Sequence, residues 1–143
     1  MRRIFALVLM LALLVPVGLP AAAQEIQPYA SDYLNYANGY TVSVGSGKVN
    51  IQFYISGTST MSDIGALSIQ LYESTNNSTW TRVKTFNSSV YSNMMGHNVS
   101  SYNSYVQYQG VAGRYYKAYV CAWASKNGDG GSRYFWTASV QAG

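Results

Sequence analysis

One histidine, one cysteine and five carboxylates are the chain's supply of the side chains that most often move a proton near neutral pH or hold a metal. His97 follows Gly96 with no acid close by in the sequence, so a serine triad or cysteine dyad built on it has no local support. A paired-carboxylate hydrolase would draw on Glu25, Asp32, Asp63, Glu73 and Asp129, of which Glu73 and Asp129 are the pair expected at strand ends. Zinc would need carboxylates or a second chain beside His97 and Cys121. The run Asn127-Gly128-Asp129-Gly130 offers oxygen ligands, but with one carboxylate it matches no full calcium loop and reads as a flexible turn. No catalytic residue, metal site or cofactor is expected, and the chain is read as something other than an enzyme.

Aromatic side chains are the more plentiful resource, at 15% of residues with 14 tyrosines. In the stretch 113–124, Tyr116, Ala118, Val120 and Ala122 alternate with Tyr115, Lys117, Tyr119, Cys121 and Trp123, the period of a strand with two unlike faces. The first set reads as core. Tyr115, Tyr119 and Trp123 form a candidate ligand-binding stripe, because flat rings stack on sugars or fill a partner's pockets at small entropic cost. Tyr54 and Tyr105 fall on the polar faces of their strands, and Tyr134 and Trp136 share one face of the last. Rings also pair across strands as ordinary packing, and the strand order that separates the two readings is not in the sequence.

The elements that position these residues are short strands. Segments 33–36 and 40–44 read as strand, interrupted near Asn38-Gly39, a pair that favours a turn or bulge. Segment 48–56 alternates most cleanly, with Val49, Ile51, Phe53 and Ile55 opposite Asn50, Gln52, Tyr54 and Ser56. Segment 57–65 is expected to cross the end of the fold and tuck Met61 and Ile64 inward. Leu67, Ile69 and Leu71 then face one way, and 80–86 returns as a hairpin in which either a bulge intervenes or one of Trp80 and Val83 is exposed. Segment 88–101 reads as a long crossover, followed by strands at 102–108, 113–124 and 133–140. About seven strands without a helical period predict an all-β fold, an antiparallel immunoglobulin- or fibronectin-like sandwich, with a small closed barrel as the alternative.

The amino terminus predicts export. Arg2 and Arg3, the apolar run 4–15 and Ala21-Ala22-Ala23 before Gln24 make a signal peptide over 1–23, too short a run to span a membrane. A loose lead-in at 24–32 precedes a single domain over 33–143. The formal charge of +4 includes Arg2 and Arg3, and the remaining cations are scattered, which argues against a nucleic-acid partner. Charged residues are only 10%, so Ser, Thr, Asn, Gln and tyrosine hydroxyls must carry the polar surface. A lone cysteine excludes an intramolecular disulfide; Cys121 is either a small buried hydrophobe or a link between two chains.

Several local patterns carry a resemblance. Thr60-Met61, Asp63-Ile64-Gly65-Ala66, Ile69-Gln70-Leu71, Trp80 with Val83-Lys84-Thr85-Phe86, and Gly113 with Tyr116-Lys117-Ala118-Tyr119-Val120 resemble a family of small secreted bacterial proteins labelled as a domain of unknown function. The resemblance spans about 29–138 and implies an exported bacterial β-domain, with no activity or binding residue to carry over. Tyr116, three residues after Gly113, also fits a tyrosine corner whose phenol bonds back to the preceding crossover. The expected role is a secreted noncatalytic module binding an extracellular glycan, cell-wall polymer or protein through aromatics. A secreted antibacterial or toxin-like effector is the alternative, and a hydrolase the last.

Overall fold

The computed structural model describes residues 32–143. The expected signal peptide over 1–23 and all but the last residue of the lead-in over 24–32 lie outside them. The described residues form seven strands: β1 (Leu34–Gly45), β2 (Lys48–Ser74), β3 (Thr81–Asn87), β4 (Met95–Gln109), β5 (Tyr115–Lys126), β6 (Asp129–Trp136) and β7 (Val140–Gln141). All pairings are antiparallel and belong to one sheet, which curls into a half-barrel. A 3-10 turn, Ser92–Met94, leads into β4. No helix among the described residues is long and apolar enough to cross a membrane.

Strand β2 organises the sheet. Its 27 residues would reach about 90 Å if straight, more than a domain of this size can hold, so the strand must bend. Residues 48–57 pair with β1 on one edge and residues 63–74 with β5, while β4 follows the other edge through the corner. At the corner four residues of β2, 57–60, stand opposite the single Ser100 of β4. The Met61 side chain fills the bend, so close that a Cβ on Gly57 would lie 2.7 Å from its Cγ. The sequence reading of 57–65 as a crossing loop is thus corrected: the strand turns the corner without leaving the sheet, and Met61 and Ile64 are buried as expected.

Two bulges change which residues face inward. The register with β5 jumps between Ala66 and Ser68, which turns Leu67 out to solvent while Ile69 and Leu71 stay buried. The expected common facing of Leu67 with Ile69 and Leu71 therefore fails. The β2–β3 register skips Val83, so a bulge does intervene; Val83 packs against the core, while Trp80 lies against Lys117. Strand β1 runs unbroken through Asn38-Gly39, contrary to the expected interruption. Gly39 is required there by proximity: a Cβ would sit 2.5 Å from the Gln52 carbonyl oxygen and 3.0 Å from the Phe135 ring. Strand β4 likewise begins at Met95, inside the stretch read as a crossover.

The concave side of the curl is the core. Val49, Ile51, Phe53 and Ile55 from before the corner meet Ile64, Ile69, Leu71, Tyr116, Ala118, Val120, Ala122 and Ala124 from beyond it. Three alanines on β5 let β1 approach, and burial of this set by the hydrophobic effect holds the curl closed. Across the gap between β1 and the end of β6, the buried hydroxyls of Thr41 and Thr137 share a hydrogen bond of 2.8 Å, and the Ala118 N–H donates to Thr137. Buried polar groups so paired avoid the desolvation cost of orphaned ones.

Candidate functional site

The convex side beyond the corner displays the outward residues of β6, β5 and β2 in rows. Trp136, Tyr119 and Gln70 stand in one row, and Tyr134, Cys121 and Ser68 in the next. Neighbouring strands are about 4.8 Å apart, whereas same-face residues four apart along a strand are about 13 Å apart. Ring contacts therefore run across strands. Tyr119 stacks on Tyr134 at 5.4 Å and 20° and meets Trp136 at 4.7 Å; Trp136 continues to Tyr72 at 5.2 Å. Tyr134 and Trp136 remain 57% and 49% exposed.

Lys117 completes the platform. Its Nζ lies 4.4 Å from the centre of the Trp80 ring and 4.8 Å from that of Trp136, a cation held between two indoles. Among the described residues no carboxylate pairs with it, the two ion pairs being His97 with Asp63 and Arg114 with Glu73. Arg82, across β2 from this position, adds a second positive charge in the row of Tyr72 and Lys117. The surface combines stacked rings with an unneutralised cation, a pairing suited to a flat ligand bearing a negative group.

Of the stripe read from the sequence, Tyr119 lies at the centre of this platform, while Tyr115 and Trp123 share its face but none of its ring contacts. Trp123 covers the β5–β6 hairpin, where a Cβ on Gly130 would fall 2.4 Å from its ring. Asn127 and Gly128, with φ of 54° and 85°, form a two-residue turn that matches the type expected of an Asn-Gly hairpin. Tyr72 and Trp80 were missed. The parity of Tyr72, opposite to Ile69 and Leu71, was available, but Trp80 precedes β3 and only the fold brings it to Lys117.

Cys121 lies beneath the platform, 2% exposed, with Tyr134 opposite it on β6. Burial pushes its thiol pKa up against the lowering effect of the Tyr134 hydroxyl, and that hydrogen bond raises Tyr134 in turn. The thiol is a protonated, covered hydrophobe.

Glu73 sits in a hydrogen-bonded network. Glu73 accepts from Arg114 Nη1 at 2.6 Å and from the Tyr116 hydroxyl at 2.6 Å, while the Val111 N–H donates to Tyr116 at 2.8 Å. The last contact is the predicted bond from phenol to crossover. Burial, then the Glu73 hydrogen bond, pushes the Tyr116 pKa up to about 12. Glu73 aligns with Tyr116 and Asp129 with Lys126, ten residues apart on β5 or about 33 Å, so these two cannot act as a hydrolytic pair. His97 does meet an acid: Asp63, directly across the β2–β4 ladder, lies 2.6 Å from Nδ1. The pair opens on a shallow cleft of about 360 Å³ that Ser88, Ser89, Ser92 and Trp123 also line. Among the described residues His97 makes no hydrogen bond to those serines, while the Ser125 hydroxyl donates to the other oxygen of Asp63 at 3.4 Å.

No protein-family model, curated protein or solved structure matches the chain.

Proposed function

We propose that this chain is an exported bacterial module, immunoglobulin-like in its two facing layers, that binds an acidic glycan or cell-wall polysaccharide without catalysis. The observation that carries the reading is Lys117, clamped between Trp80 and Trp136 at the end of the Tyr134–Tyr119–Trp136 ring series. Sugar rings present C–H faces that stack on exposed aromatic faces, and the fixed ammonium seats a carboxylate substituent. Prior packing of the rings lowers the ordering cost of binding. Export is supported by the pattern of residues 1–23 and the thin charged surface. The sandwich reading is supported by the approach of β1 to β6 across the core.

The test is affinity electrophoresis of the chain lacking 1–23 in gels containing polygalacturonate. Retardation is expected for the unmodified chain, weaker by about tenfold or more in affinity for Trp136→Ala and for Lys117→Met. Migration of both variants with the unmodified chain would remove the platform from consideration.

A further inference from the structure

The convex side before the corner carries a second, chemically different array. Tyr40, Gln52 and Tyr105 stand in one row across β1, β2 and β4, and Asn38, Tyr54 and Asn103 in the next, so phenols and carboxamides alternate like a checkerboard. All of these but Asn38 line a hollow of about 510 Å³, together with Phe53 and Ser104. Tyr40, Tyr54 and Tyr105 are 59%, 45% and 52% exposed.

Tyr54 meets Tyr36 at 5.8 Å, but among the described residues no ring contact joins Tyr40, Tyr54 and Tyr105 to one another. Asn38 Nδ2 donates to the hydroxyls of both Tyr36 and Tyr40, at 3.0 and 3.1 Å, which fixes the β1 phenols at one wall. Further along the same face, Gln107 satisfies Asn50 at 2.9 Å. By contrast, the side-chain carboxamides of Gln52 and Asn103, which line the hollow, make no hydrogen bond among the described residues. Each offers two donors and an acceptor oxygen. No ionised side chain lines the hollow.

Each feature restricts the occupant. An anion or a nucleic acid finds no cation to neutralise it. An extended peptide joining the sheet would use a strand edge, not the middle of a face. An uncharged polyol fits: its hydroxyls match carboxamides that both donate and accept, and its C–H faces match the tyrosine rings. We propose that this hollow is a second binding site, independent of the Lys117 platform, and that it takes the ring of an uncharged sugar in a neutral polysaccharide. The module would then hold an acidic and a neutral polymer on opposite arms of its bent sheet.

The experiment uses the chain lacking 1–23 in gels containing a mixed-linkage β-glucan, a galactomannan or amylose. Compared are the unmodified chain, Tyr40→Ala/Tyr105→Ala, Gln52→Ala and, as a remote surface control, Val90→Ser. Retardation by at least one of the three polymers is expected, with affinity reduced about tenfold or more by the double substitution and several-fold by Gln52→Ala, and unchanged by Val90→Ser. Melting temperatures check that the variants fold, and Tyr40→Phe/Tyr105→Phe, which keeps the rings, should retain most of the binding. Absence of retardation by all three polymers, or equal retardation of the unmodified chain and the folded double variant, would overturn the proposal.

Discussion

The two convex faces start from the same material, tyrosine on an antiparallel sheet, and end with opposite surfaces. Beyond the corner, Tyr119 packs on both Tyr134 and Trp136 of the adjacent strand, so the platform is filled, and among the described residues no carboxylate pairs with its cation. Before the corner, Tyr40, Tyr54 and Tyr105 each have a carboxamide as cross-strand neighbour, and the space between these three rings stays open. Cross-strand neighbours decide whether aromatic residues become a wall or a hollow. Strand composition alone does not.

The largest expected effect tests whether the two arms depend on the same closure. Gly39→Val would place side-chain atoms against the Gln52 carbonyl and the Phe135 ring at once. A loss of about 3 kcal/mol in urea unfolding is expected, with both faces losing ligand together because the arms share one core. Loss of binding on only one face in the folded variant would show that the arms are less coupled than their shared core implies.

Tyr116→Phe comes next and acts on the far arm. It removes a hydrogen bond to Glu73 and leaves the Val111 N–H without its partner, which costs about 2 kcal/mol in chemical denaturation. The same residue sets a pH signature. Its folded-state pKa is raised from 10 to about 12, so the native state holds the proton more tightly than the unfolded chain. This contribution is fully present below pH 10 and disappears as pH rises through about 12. The stability gap between the unmodified chain and Tyr116→Phe should narrow over that window; a constant gap would contradict the assignment.

Two smaller effects sharpen the contrast at the surface. Lys117→Arg should retain polygalacturonate binding better than Lys117→Met, and binding should weaken with added salt, since an exposed charge is screened within about 8 Å at physiological ionic strength. Binding of neutral polymer at the hollow should be salt-insensitive. Tyr134→Ala should uncover Cys121 and speed its alkylation several-fold, whereas Tyr54→Ala on the other arm should leave the alkylation rate unchanged.

The near arm was the more legible in the sequence. The alternation at 48–56 gives both faces of that strand correctly, because no bulge interrupts it and its partners share its period. The far arm contains the corner at 57–60 and the bulge at Leu67, and the parity of buried residues changes between Met61 and Ile64 and again at Leu67. Asn38-Gly39 carries the letters of a turn, yet the glycine answers to crowding from Phe135, which lies 96 residues on and becomes a neighbour only in the closed sheet. The Tyr72–Trp136 contact and the Asp63–His97 pair arise between strands distant in sequence, so they follow from strand order and not from periodicity. Tyr116 was readable because its glycine and crossover partner are local.

The most direct test of the account is a binding isotherm for an acidic galacturonate oligosaccharide, measured by calorimetry on the unmodified chain and on Trp136→Ala. Saturable binding, weakened about tenfold or more when the indole is removed while the melting temperature holds, is the predicted result. Identical isotherms for the two proteins, or no heat from either, would contradict it.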